Sequence, residues 1–165
     1  ATGKSGTRLL IRPIRPEDEP LIVAFHDRLS ERTVVQRYFK ALDLNARTAH
    51  ERLTRICFID YDRELALVAE IADVAGTPVI AGVSRMIHED DGRSATLAVV
   101  VADDFQGQGI GEALMSRTLD AARAEGLRTV LIHFLPENAR MHKLSRKLGF
   151  VLTEENEMMR GELSL

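Results

Sequence analysis

One cysteine, Cys57, stands in a chain of 165 residues, which excludes an internal disulfide and any multi-cysteine metal centre. Set between Ile56 and Phe58 with no activating neighbour, it reads as a buried small hydrophobe, and its isolation suits a reducing, cytoplasmic compartment. An excess of positive charge is missing too. Lys and Arg number 22 against 25 Asp and Glu, a net charge of −3, so no basic field offers itself to a nucleic-acid backbone. The five histidines are scattered without ligand spacing, and no metal is expected. No apolar run approaches the ~20 residues that span a bilayer, no membrane association is expected, and no secretory leader core opens the chain. Repeats, low-complexity tracts and linkers are absent as well. The remainder is 45% hydrophobic and 28% charged, a composition for one globular domain over residues 1–165, with 1–7 as a frayed end.

Against these absences stands one concentration of glycine, Gln106-Gly107-Gln108-Gly109-Ile110-Gly111, between an apolar run over 97–101 and a helical pattern that starts near Gly109. Two familiar glycine loops do not fit these letters. A dinucleotide fingerprint needs G-x-G-x-x-G, yet Leu114 stands three residues after Gly111, and a P-loop needs Gly-Lys-Ser/Thr where the chain has Gly111-Glu112-Ala113. What the turn can do is bring backbone N–H groups together at a helix N-terminus, because glycine accepts positive φ and removes the side chain that would shield them. With the helix dipole behind it, that spot favours an anion, and the length of the turn suits a diphosphate. Read alone, the turn is equally consistent with glycines that serve packing.

The order of elements gives the turn its setting. A strand over 9–14 is stopped by Pro13 and Pro16, and Pro16-Glu17-Asp18-Glu19 opens a helix with acids in its first turn and apolar positions at Leu21, Ile22, Phe25 and Leu29. Ser30-Glu31-Arg32-Thr33 starts a second helix, and 46–56 suggests a third. Residues 65–71 and 78–88 are β-rich and joined by the hairpin-like 73–77, and a turn over 89–94 leads into a strand over 95–102. The pattern therefore predicts an antiparallel meander that feeds the glycine turn. Beyond it, Leu114, Met115, Thr118, Ala121 and Ala122 mark a helix stopped at Gly126, followed by a strand over 129–135 whose His133 reads as a core or rim residue. Asn138 then caps a helix with Met141, Leu144 and Leu148 on one face, and Gly149 ends it before the last strands within 150–163.

Gln106-x-x-Gly109-x-Gly111 resembles the acyl-CoA pyrophosphate loop of the GNAT (Gcn5-related N-acetyltransferase) superfamily, and the run from Glu137-Asn138 to Gly149-Phe150 is similar to its second motif, an Asn-started helix closing on Gly-Phe. Upstream, Ile11-Arg12-Pro13-Ile14-Arg15-Pro16-Glu17-Asp18-Glu19, Arg37-Tyr38-Phe39 and residues 50–64 resemble the GNAT domain of bacterial protein lysine acetyltransferases of the Pat type, which modify acyl-CoA synthetases. The resemblance implies an α/β GNAT fold: a mixed, mostly antiparallel sheet splayed between strands 4 and 5, with helices on both faces. It implies acetyl-CoA as co-substrate, its pantetheine arm along Val99, Val100 and Val101 and its diphosphate on Gln106, Gly107, Gln108, Gly109, Ile110, Gly111 and Glu112. Asn138 meets the arm from the other side. The acceptor it implies is an exposed lysine of a protein such as an acyl-CoA synthetase. Such domains are often fused to others, so the chain is compatible with the catalytic portion of a larger protein.

A lysine amine must lose its proton before it attacks a thioester, so a carboxylate, or a water held by one, usually serves as general base. Where the Pat-type pattern places that Glu, at the start of the fourth strand, this chain has Thr96, and where many GNAT enzymes carry a Tyr that protonates the leaving thiolate it has Ser145. Glu70 on a neighbouring strand, or a water relay to Glu89 or Asp90, are the substitute bases. An acidic rim of Asp60, Asp62, Glu64 and 89–91 suits a lysine flanked by basic residues. Two other readings stay open beside protein lysine acetylation: a non-catalytic acyl-CoA-binding regulatory domain, and acetylation of a small amine.

Overall fold

Apolar residues recur at every second position through the middle of the chain, and each parity buries against a different helical layer. The computed structural model describes residues 8–38, Cys57 and residues 63–165. Within these the chain runs β1 (Leu10–Pro13), α1 (Glu19–Asp27), α2 (Glu31–Tyr38), β2 (Glu64–Ala72), β3 (Pro78–His88), β4 (Ser94–Val101), α3 (Ile110–Ala124), β5 (Thr129–Phe134), α4 (Ala139–Lys147), β6 (Val151–Glu155) and β7 (Met158–Ser164). The helix expected over 46–56 lies outside the described residues. Cys57 is buried, and burial, reinforced by Asp18 and Glu19, pushes its thiol up to about 11, as befits an inert small hydrophobe.

The strands form one sheet in the order β1-β2-β3-β4-β5-β7-β6. Every neighbouring pair is antiparallel except β4 and β5, which are parallel. On one face Leu67, Ala69, Val79 and Ala81 pack against Ile110 and Leu114 of α3, continuing into Ala95, Leu97 and Ile132 against Met115 and Leu119. Met141 and Leu144 of α4 join that side. On the other face Ala66, Val68 and Ile80 meet Ile22 and Phe25 of α1, Val34 of α2 and Leu29 between the two helices. Helices therefore cover both faces, the arrangement of a GNAT fold. Gly82 sets how closely α3 approaches: a Cβ there would stand 2.9 Å from Leu114 Cδ1 and 3.2 Å from the Val100 carbonyl oxygen.

The β4–β5 pairing lasts three residue pairs, Ser94↔Thr129, Ala95↔Val130 and Thr96↔Leu131. Beyond them the strands part, while β4 stays paired to β3 as far as Val101↔Gly82 and β5 to β7 as far as Phe134↔Met159. This is the splay that the resemblance implies between the fourth and fifth strands.

One local expectation is corrected. Residues 16–18 form a single 3-10 turn and α1 proper begins at Glu19, because Asp18 serves an ion pair rather than the dipole of a continuous helix. Both Asp18 carboxylate oxygens accept from Arg12 Nη1 and Nη2 at 2.8 Å, the Arg15 amide donates to Oδ2 at 2.8 Å, and Asp18 is 1% exposed. Burial pushes this carboxyl up, but the Arg12 and Arg15 bonds outweigh it and hold it below the ordinary carboxylate range. Unfolded, the group binds its proton near pH 3.9. The pair's contribution is therefore fully present above that value and is lost as pH falls through the lower, folded one. Asp18→Ala, which leaves Arg12 with Glu70 as its remaining carboxylate, is expected to cost about 1.5–3 kcal/mol in urea unfolding at neutral pH. The gap between Asp18→Ala and the parent should narrow on acidification below about pH 3.9. A gap that stays constant into that range would contradict the assignment.

Candidate active site

The gap between β4 and β5 opens into a cleft of about 600 Å³, within the range of small-molecule sites. Val99, Val100, Val101, Gln106, Gly107, Gly109, Ile110, Gly111, Glu112 and Asn138 all line it, whereas Gln108 is not part of the lining. The turn is left-handed at two points, Gly107 with φ 80° and Gly109 with φ 83°. Gly109 is the N-cap of α3 and offers no side chain to its first amides. Those N–H groups have no intrahelical acceptor, so they and the helix dipole present a positive end to the cleft. Across from it Asn138 caps α4, accepting from the Met141 amide at 3.2 Å.

The residues present fit an acyl-CoA. An uncapped helix terminus faces the cleft, β4 runs on past its last β5 partner, and the far wall is cationic: Arg140, Lys143 and Lys147 of α4 all border the space. These three stand at i, i+3 and i+7, a spacing that marks one helix face in the sequence. Two of them reach over the gap. Arg140 Nη1 donates to Gln106 Oε1, and Lys147 Nζ lies 3.0 Å from Glu112. Gln106 in turn donates to the Val101 carbonyl at 2.9 Å and to Thr33 Oγ1 at 3.2 Å, which ties the turn to β4 and α2.

The other half of the cleft lies on the α2 face. Arg85, Ile87, Thr96, Ala98 and His133 border it together with Thr33, Gln36 and Arg37. Cross-strand register explains the set, since Arg85↔Ala98 and Ile87↔Thr96 are paired and so share a face. Arg85 is held by Glu64 at 2.7 Å, and His133 is exposed at the rim. The Thr96 hydroxyl donates to the Glu89 carboxylate.

Glu70 and Ser145 are placed differently. Glu70 sits on β2 opposite Ile80, past Gly82 and hence past the end of β4, where Arg12 Nη2 approaches it at 3.1 Å; it does not border the cleft. Ser145 is fully buried beneath α4, its Oγ without a hydrogen-bond partner among the described residues, and the cleft is bordered by Leu144 and Lys147 instead. Asp60 and Asp62 lie outside the described residues.

Residues 8–151 match the family model described as an acetyltransferase (GNAT) domain. This chain belongs to the GNAT acetyltransferase family. An acetyltransferase of Pseudomonas aeruginosa is 34% identical over 146 residues, 88% of this chain and 76% of that protein. Acetyltransferase Pat of Mycolicibacterium smegmatis is 30% identical over 156 residues, and this GNAT domain spans 44% of its length. Among solved structures the crystal structure of the GNAT domain of S. lividans PAT superposes with a TM-score of 0.86 at 23% identity, covering 100% of this chain and 95% of that one. Spermidine N-acetyltransferase from Vibrio cholerae, solved with CoA and spermine, gives 0.72 at 20% identity, with 94% and 95% covered. At these identities the two structures speak to the fold.

Gly109→Val tests the anion end of the cleft, since a β-branched residue at φ 83° is strained and its side chain would enter the turn. A loss of about 2 kcal/mol in CoA binding, roughly 30-fold in affinity, is expected by calorimetry. Urea unfolding of the Gly109→Val protein, compared with the parent, serves as the folding control. Unchanged CoA affinity in a folded Gly109→Val protein would move the site elsewhere.

Proposed function

We propose that this GNAT domain transfers an acetyl group from acetyl-CoA to a lysine side chain of a protein, and that an acyl-CoA synthetase is the acceptor class to test first. The observation that carries the reading is the β4–β5 gap, which opens to both faces of the sheet: glycine turn and cationic wall on the α3 and α4 side, Arg85, Ile87 and Thr96 on the α2 side. A donor on one face and an acceptor on the other can then meet beside β4 without either leaving the protein. Likeness to Pat of M. smegmatis supports a protein acceptor, and the single buried cysteine suits the cytoplasm.

Val99 to Val101 would hold the pantetheine arm by strand-like pairing, the 106–112 segment the diphosphate, and Asn138 the arm's far side. The acceptor half contributes orientation, with Ile87 and Ala98 forming an apolar slot for a lysine's methylene stem. Bringing amine and thioester carbonyl together in a fixed orientation is where most of the acceleration arises.

A small polyamine is the weaker candidate on charge. Arg37 and Arg85 border the acceptor half, and among the described residues no carboxylate lines that half to hold a polycation, while a protein delivers one lysine at a time. The acidic turn 89–91 follows the end of β3, close in sequence to Ile87, and its charge would steer basic surroundings toward the slot. Release of CoA thiol with an acyl-CoA synthetase as acceptor is expected to exceed that with spermidine, and to slow several-fold from low to physiological salt as screening sets in. Faster transfer to spermidine would favour the small-amine reading. Acetyl-CoA binding without transfer to either would leave a non-catalytic binding domain.

A further inference from the structure

A lysine acceptor is an ammonium at neutral pH, and the position that resembles the Pat-type base is a threonine. We propose that Glu89, held in place by the Thr96 hydroxyl, is the general base of the transfer, so that the β3–β4 turn supplies the carboxylate that β4 lacks. This rests on the acetyltransferase reading above.

Parity brings the two residues together. Arg85 and Ile87 share a face with Ala98 and Thr96 through the β3–β4 register, and Glu89 continues that odd-numbered row one step past the end of β3. Thr96 belongs to the last β4–β5 pair before the strands part, at the floor of the cleft where its two halves meet. Glu89 lies just outside the residues that border the cleft and touches it through the Thr96 hydroxyl, which brings its carboxylate toward an amine entering from the α2 face.

The turn that carries Glu89 is held from within. The Glu89 amide donates to the Ser94 carbonyl at 2.8 Å. The Asp91 carboxylate accepts the Arg93 and Ser94 amides at 2.8 and 2.9 Å and the Ser94 hydroxyl at 2.8 Å. Those bonds, the Arg93 amide first, hold the Asp91 carboxyl below its ordinary range, so the clamp is intact at neutral pH. Of the other carboxylates considered for the role, Glu70 is paired with Arg12, and Asp90 neither borders the cleft nor shares the row of Arg85, Ile87 and Glu89. Glu89 is bonded to an uncharged hydroxyl and is exposed, so it can pass a proton on to solvent.

The step balances without a further reactant. The acceptor ammonium gives one proton to the Glu89 carboxylate, and the freed lone pair forms a C–N bond to the thioester carbonyl carbon. The C–S bond breaks with its electron pair on sulfur. The second nitrogen proton, lost as the amide forms, goes to the thiolate to give the CoA thiol, and Glu89 releases its proton to water. Thr96 is a positioning residue in this scheme.

The test measures CoA thiol release with acetyl-CoA and an acyl-CoA synthetase, alongside acetyl-CoA affinity by calorimetry. Glu89→Gln, which keeps an acceptor for Thr96, should lower kcat by roughly 10²-fold or more at unchanged acetyl-CoA affinity. Thr96→Val should lower kcat less, and Thr96→Ser, with its hydroxyl restored, should recover most of what Thr96→Val loses. In the Glu89→Gln background, Thr96→Glu should bring back at least tenfold by returning a carboxylate to β4. A folded Glu89→Gln protein with the parent's kcat overturns the assignment and leaves the acetyltransferase reading standing. A parent chain that binds acetyl-CoA but releases no thiol with the synthetase or with spermidine overturns both.

Discussion

The parting of β4 and β5 is the constraint on which the rest of the site depends. A parallel pair cannot be closed by a hairpin, so the chain must leave the end of β4, cross the sheet and re-enter at the start of β5, and α3 makes that crossing. The N-terminus of α3 therefore lands where β4 ends, at the mouth of the gap. Fold topology alone thus aims a positive helix end at the one place where the sheet stops pairing. The glycines then matter locally: Gly109 allows the left-handed residue that redirects the chain from strand to helix, and without a side chain it leaves the first amides of α3 open.

Polar bonds join the walls of the cleft beside the packing of α3 and α4. Asp103, just after β4, accepts the Ser30 amide at 2.8 Å and the Ser30 and Thr33 hydroxyls at 2.7 and 3.0 Å, which anchors the start of α2 to the end of β4. Burial pushes the Asp103 carboxyl up, yet these donors outweigh it and keep it below its ordinary range. From Thr33 the chain of bonds passes through Gln106 to Arg140, so α2, the glycine turn and α4 form one connected frame. The Lys147–Glu112 pair is of another kind. With Lys147 62% exposed it contributes about 0–1 kcal/mol, too little to fix α4 against α3.

Much of this was readable before any coordinates. The β-rich runs over 65–71 and 78–88, the glycine turn, the Asn138 cap and the stop at Gly149 each have a local cause, and β2, β3, α3 and α4 fall within a residue or two of their sequence limits. Ser145 shows where a motif and a period say different things. At i+4 from Met141 it adjoins the apolar stripe of α4, so its burial follows from helical spacing, while the resemblance alone pointed to a role beside the thiolate. The Arg12–Asp18 pair and the Glu89–Thr96 bond were out of reach for a different reason. The first depends on how the chain folds back between β1 and α1, and the second on the β3–β4 register, where a one-residue slip would send either partner to the opposite face.

That register also bears on whether a threonine at position 96 disables the site. A strand glutamate would be aimed by its own backbone, whereas Glu89 is aimed by a turn, a clamp and a hydroxyl, three features that must all hold together. The arrangement carries more dependencies for the same chemical result. It nevertheless brings a carboxylate to the Thr96 hydroxyl, on the face where Arg85 and Ile87 border the cleft. With Glu89 as the proposed base, the question of catalysis moves from the identity of one strand residue to the geometry of the β3–β4 turn. Asp91 and Ser94, which touch neither half of the cleft, become the residues on which that geometry rests.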